Sequence, residues 1–161
     1  MKVLIIEDEP HTAQTLSEII VQVRPHSIII EVLESIKQAV KYLSNDKNLP
    51  DLIFSDIQLA DGLSFEIFSQ IQLKCPIIFC TAFDQYTLQA FKTNGIEYVL
   101  KPVKEEDVEL AFTKYETLKE SLKPDTEIVN LLKNTFQKKE NYKSSILVHV
   151  KESFIPIEVS K

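Results

Sequence analysis

Five short apolar runs, each followed by a stretch with helical periodicity, recur through the first 120 residues, and this alternation restricts the fold more than any other property of the chain. The runs are Val3–Ile6, Ile28–Val32, Leu52–Phe54, Ile77–Cys80 and Tyr98–Leu100. After the first, Ala13, Leu16, Ile19, Ile20 and Val23 share one face of a helix predicted over Pro10–Val23; after the second come Ile36, Ala39, Val40 and Leu43. A third helix is predicted over Leu63–Ile71, opened after Gly62, and a fourth over Asp84–Asn94, stopped by Asn94-Gly95 as a left-handed C-terminal signal. Val108, Ala111, Phe112, Tyr115, Leu118 and Leu122 form a long final stripe. Strands alternating with helices predict an α/β fold, a doubly wound five-stranded parallel sheet with helices on both faces. The runs are continuously apolar rather than alternating, as strands covered on both faces are.

Past Leu122 the pattern changes. Lys123-Pro124-Asp125 reads as a boundary, Ile128, Val129, Leu132 and Phe136 as a short amphipathic helix, and QKKENYKSS as a polar connector. Ile146, Val148 and Val150 then alternate with polar residues, and Phe154–Val159 follows a Lys-Glu-Ser turn, which predicts a β-hairpin. An isolated hairpin is marginal in water, so the chain is expected to stop just as a second domain begins. The expected organisation is a domain over 1–120, a helical linker over 121–143 and the incomplete start of a β-rich domain over 144–161. Charge divides at the same place: residues 121–161 hold seven lysines against five acidic residues, so that of the net −6 the first 120 residues carry −8.

That balance argues against nucleic-acid binding by the chain as a whole. The only glycines, Gly62 and Gly95, can build neither a G-x-x-x-x-G-K-[ST] loop nor a G-x-G-x-x-G turn, which excludes nucleotide binding through a glycine-rich loop. Cys75 and Cys80 make no disulfide framework, and without a Cys/His cluster zinc is not expected. No run is long enough to cross a bilayer, and Val3–Ile6 is too short for a signal peptide, so a cytoplasmic protein with no membrane association is expected.

In open parallel sheets ligands bind beyond the carboxyl ends of the strands. Glu7 and Asp8 follow the first run, Asp56 the third, Thr81 the fourth and Lys101 the fifth. Singly, each has an ordinary reading: Asp8 as the cap of the helix that Pro10 opens, Thr81 as a cap of the next helix, Lys101 as a solvated surface lysine. Together they are harder to explain that way. Carboxylates about 5 Å apart repel by roughly 3 kcal/mol per pair at an effective dielectric of about 20, so a cluster needs a counter-cation or raised pKa values. A hard divalent ion that prefers carboxylates and water, Mg²⁺, suits the set. With Lys101 as a fixed positive charge, the cleft reads as one where a phosphoryl group is accepted and held. His11, His26 and His149 have no partners at catalytic spacing, and Cys80 reads as a small buried hydrophobe.

Four segments, LIIEDEP, IFSDIQLADGLSF, IIFCTAFDQYTLQAF and YVLKPV, stand in that order, and through them residues 1 to about 120 resemble the flavodoxin-like receiver domain of bacterial two-component response regulators. The stretch TAFDQYTLQAFKTNGIEYVLKPV is similar, more narrowly, to receivers that precede LytTR-type DNA-binding domains, and YKSSILVHVKESFIPIEV resembles the opening strands of such a domain.

The resemblance implies a phosphoacceptor rather than an enzyme, apart from slow loss of its own phosphoryl group. Asp56 would be the phosphoacceptor, taking the group from a sensor histidine kinase. Glu7, Asp8, Asp56 and the backbone carbonyl of Gln58 would hold Mg²⁺. Thr81 would turn its hydroxyl toward the phosphoryl group, Lys101 would pair with its charge, and Tyr98 would be the switch aromatic. It also implies a cis Lys101–Pro102 bond, homodimerisation through the face of residues 84–122 on phosphorylation, and DNA contact only through the incomplete C-terminal domain. A receiver acting by protein contact without DNA is the alternative. Three positions depart from the family pattern: Glu7 where aspartate is usual, Ala60 where proline is common, and Ser64 at the usual glycine position with Gly62 two residues early, which leaves the path of this loop open. An aspartate-nucleophile phosphatase would need a second acid at position 58, which is Gln58.

Overall fold

The computed structural model describes residues 1–121. One compact unit spans Met1–Tyr115, and Glu116–Ser121 complete its last helix. The strands are β1 (Lys2–Ile6), β2 (Ile28–Leu33), β3 (Leu52–Ser55), β4 (Gln58–Leu59), β5 (Gly62–Leu63), β6 (Ile77–Thr81) and β7 (Gly95–Leu100); the helices are α1 (Pro10–Val23), α2 (Ile36–Leu43), α3 (Phe65–Gln70), α4 (Thr87–Lys92) and α5 (Glu105–Ser121). Five strands form one parallel sheet in the order β2-β1-β3-β6-β7, and β4 and β5 make a separate antiparallel pair.

Alternate side chains of a strand face opposite sides of the sheet, and the two layers of core follow from that. Val3 and Ile5 of β1 pack with Leu16 and Ile20 of α1 and Phe112 of α5, whereas Leu4 and Ile6 pack with Ala39 of α2, Ile67 of α3 and Ala90 of α4. Both layers carry tilted aromatic pairs, Phe54–Phe112 at 5.6 Å and Phe65–Phe79 at 5.3 Å between centroids. On the first side the chain's one arginine, Arg24, pairs with Glu109 at 2.7 Å and lies 5.2 Å from the Phe112 ring centre, tying the end of α1 to α5.

The doubly wound expectation holds, with three local differences. Leu63 belongs to β5, and the helix predicted from that point begins at Phe65. The helix predicted over Asp84–Asn94 is confined to Thr87–Lys92. The last strand, β7, begins at Gly95, three residues before the predicted run at Tyr98, and the left-handed turn expected at Asn94-Gly95 falls on Asn94 (φ 61°). Gly95 is required for another reason: a Cβ there would lie 2.5 Å from the Ala90 carbonyl oxygen, so α4 and β7 could not approach this closely.

At the two borders of the described sheet a glutamate folds onto the next residue's backbone. Glu31 accepts the Val32 amide at 3.2 Å on β2, and Glu97 accepts the Tyr98 amide at 3.1 Å on β7 while pairing with Lys114 of α5, also at 3.1 Å. Among the described residues no helix is long and apolar enough to cross a membrane. The linker expected over 121–143, apart from Ser121, and the β-rich segment expected over 144–161 lie outside the described residues.

Candidate functional site

Strands β1, β3, β6 and β7 are consecutive neighbours in the sheet, so the residues that follow them meet above its carboxyl edge. The ladder places each one: the Glu7 amide donates to the Leu33 carbonyl at 2.9 Å, the Asp56 amide to Ile6 at 2.9 Å and the Lys101 amide to Thr81 at 2.8 Å. The ordinary reading of Asp8 as a helix cap does not hold. Glu9 occupies that position without a cap hydrogen bond from its own side chain, and Pro10 starts the helix.

Glu7, Asp8 and Asp56 bring one carboxylate oxygen each to within 4.8 Å of one another. Glu7 is 3 % exposed and Asp56 8 %, so both charges are largely removed from water. Lys101 Nζ sits between them, 2.6 Å from Glu7 Oε2 and 2.8 Å from Asp56 Oδ2. The remaining oxygens are also held: Asp56 Oδ1 accepts the Ile57 amide at 2.7 Å and Glu7 Oε1 the Glu9 amide at 3.2 Å. Burial pushes the Glu7 carboxyl above its usual range; the Lys101 hydrogen bond opposes this and the Asp56 charge reinforces it. For Lys101 burial works against the charged form, but the hydrogen bonds it donates to Asp56 and Glu7 win and its pKa rises. Hard oxygen donors with surplus negative charge are the set a small divalent cation requires, so the residues present fit Mg²⁺.

Thr81, at the end of β6, is buried, and its Oγ1 lies 3.5 Å from the Phe83 amide nitrogen, at the outer limit for a hydrogen bond. The hydroxyl of Tyr98 donates to the carbonyl oxygen of the same Phe83, so the two expected switch residues converge on one peptide segment. The Gln58 side chain donates to the Tyr86 hydroxyl at 3.2 Å. Tyr86 was not a candidate from the sequence; its ring packs on Phe65, 6.1 Å between centroids. His11 and His26 are exposed, and Cys80 is fully enclosed with its thiol pushed far up by burial.

The path of the loop after Asp56 is now defined. Gln58 pairs with Leu63 and Leu59 with Gly62, the Ser64 amide donates to the Ile57 carbonyl at 2.7 Å, and Gly62 adopts φ 139°, open only to glycine. Ser64 is wholly buried and its hydroxyl has no hydrogen-bond partner among the described residues. Its backbone, φ −62° and ψ −18°, suits alanine equally well. Ser64→Ala is therefore expected to stabilise the protein by about 1 kcal/mol, the desolvation cost of the orphaned hydroxyl outweighing the lost packing. Chemical denaturation checks this, and a loss of stability would mean that the hydroxyl is satisfied.

A family model described as "Response regulator receiver domain" matches residues 3–113. The chain is 38 % identical over 124 residues to the sensory transduction protein LytT of Bacillus anthracis, covering 75 % of this chain and 49 % of that protein. It is likewise 38 % identical over 122 residues to the transcriptional regulatory protein LytR of Staphylococcus aureus strain N315, covering 74 % and 48 %. The chain thus spans about half the length of these curated relatives. Among solved structures, the response regulatory domain of protein mrkE from Klebsiella pneumoniae superimposes with a TM-score of 0.63 at 32 % identity, over 73 % of this chain and 96 % of that one.

Proposed function

The chain belongs to the response regulator receiver domain family, and on that premise we propose that it accepts a phosphoryl group on Asp56 from a phosphohistidine of a sensor histidine kinase. The observation that carries the reading is the Lys101 ammonium held between Glu7 and Asp56 inside a three-carboxylate cluster. An Asp56 oxygen forms the new bond to phosphorus as the phosphorus–nitrogen bond breaks, and the electron pair leaves with the imidazole, which takes up a proton. Lys101 already contacts an Asp56 oxygen, so its charge faces the phosphoryl oxygens as they arrive. Glu7, Asp8, Asp56 and the Gln58 carbonyl would hold Mg²⁺, which supplies charge neutralisation for nucleophile and phosphoryl oxygens alike.

The phosphoryl group adds nearly two negative charges, and Thr81 and Lys101 interact with it differently than with a bare carboxylate, which biases a two-state equilibrium. Thr81 and Tyr98 share Phe83, which offers the route outward: Thr81 turning to the phosphoryl group frees the Phe83 amide, and Tyr98 follows its carbonyl. The surface reached carries exposed Phe83, Leu88, Phe91 and Leu100, in keeping with homodimerisation through the face of residues 84–122. The relatives' names, with the organisation proposed for 121–143 and 144–161, support transcriptional control in the cytoplasm through a LytTR-type DNA-binding domain.

Incubation with a small-molecule phosphodonor tests the reading. An acid-stable, base-labile phosphate is expected with Mg²⁺ and not with a chelator, and the sedimenting mass is expected to double with a stable phosphoryl mimic. No incorporation under any condition would remove the phosphoacceptor reading; an unchanged mass would remove only the dimer.

A further inference from the structure

Asp61, in the turn between β4 and β5, reaches out of its loop to a different element. Its Oδ1 accepts the Ile36 amide at 3.0 Å and its Oδ2 the Lys37 amide at 3.3 Å, the first two donors of α2, 25 and 24 residues earlier in the chain. Those donors have no acceptor within their own helix, and negative charge is favoured at that end. Ser35 completes the same turn from within, accepting the Gln38 amide at 3.1 Å. Two residues therefore cap one helix end, and only one of them belongs to the loop that follows Asp56.

Behind the tip of that loop, Ile57 and Leu59 are buried and the Ser64 amide holds the Ile57 carbonyl, but the tip itself is less enclosed. Ala60 and Asp61 are exposed, Gly62 removes stiffness from the turn, and the ladder behind it is two residues long on each side. We propose that Asp61 is a positioning residue for the acidic cleft: by fastening the hairpin tip to α2 it fixes the backbone at Gln58 and thereby the affinity of the cleft for Mg²⁺. The inference rests on the receiver reading above.

Mg²⁺ titration followed by backbone amide shifts, on the whole chain, separates positioning from simple support of the fold. Asp61→Ala is expected to weaken Mg²⁺ binding on the order of tenfold, as loss of an outer-shell partner does. Asp61→Asn, which keeps one carbonyl acceptor for the α2 amides, is expected to recover part of that loss. Ser35→Ala removes the companion cap and lowers thermal stability, yet leaves Mg²⁺ affinity within about twofold because the loop keeps its anchor. Asp61→Ala binding Mg²⁺ as wild type does overturns the inference alone, as does Ser35→Ala weakening binding as much as Asp61→Ala. Wild-type protein that binds no Mg²⁺ overturns the Mg²⁺-dependent phosphoacceptor reading and this inference with it.

Discussion

Replacement of Asp56 by asparagine is expected to remove phosphoryl incorporation, a fall on the order of a thousandfold or more, because an amide offers no nucleophilic oxygen of comparable strength. The cleft contains two other carboxylates, so the prediction discriminates among them. Glu7 is the more deeply buried of the two that contact Lys101, its side chain 3 % exposed against 10 % for Asp56, and a donor approaching from solvent meets Asp56 first. The substitution leaves the fold in place: an asparagine carbonyl can still accept the Ile57 amide that Asp56 Oδ1 accepts at 2.7 Å. Circular dichroism should match wild type while radiolabel incorporation is absent. Label retained by the variant would move the acceptor to Asp8 or Glu7.

Lys101→Met should separate the two tasks of the ammonium. Without it, Glu7 and Asp56 face each other uncompensated in a site that excludes most water. Loss of one partner from a fully buried pair costs about 3–5 kcal/mol, and with the Lys101 side chain 20 % exposed a loss nearer 2 kcal/mol is expected in chelator. Mg²⁺ should restore much of it, so the variant's melting temperature rises more steeply with Mg²⁺ than wild type's. The pH dependence follows from the raised pKa values. Glu7 stabilises the fold fully below its ordinary value of 4.5 and loses that contribution as pH rises through its raised folded value. Removing the Lys101 hydrogen bond raises that value further, so the destabilisation should be smaller in acid than at neutrality. Lys101 itself contributes fully below 10.5 and loses its contribution only above that, so it does not blur the acid limb. Equal responses to Mg²⁺ in variant and wild type would mean that ammonium and cation do not share a site.

What the sequence disclosed depended on how locally each feature is encoded. Helix α1 was readable to the residue because Pro10 opens it and its apolar face repeats without interruption to Val23. The parallel sheet was readable because each apolar run is continuous, as strands covered on both faces are. Helix α4 was overextended because Asn94-Gly95 marks a turn without saying which residue takes the left-handed conformation, and β7 claims Gly95 for close packing. The β4–β5 pair has two residues per strand, too few for any period to emerge. At the site, Glu7, Asp8, Asp56 and Lys101 were found because strand ends are predictable places. The capping role of Asp61 joins positions at least 24 residues apart, and the contact of Tyr86 with Gln58 spans 28, distances at which no pattern in a single sequence carries information.

The glutamates on the border strands have a consequence for assembly. A molecule adding itself as a sixth strand beside β2 or β7 would have to displace a charged acceptor from the Val32 or Tyr98 amide and bury it in the seam. Backbone pairing, once made, propagates from copy to copy and reverses slowly. With both rims of the described sheet defended in this way, growth by strand addition there is disfavoured, and the dimer proposed through the face of residues 84–122 would rest on side-chain contacts instead. Such contacts can be made and released within the lifetime of a signal.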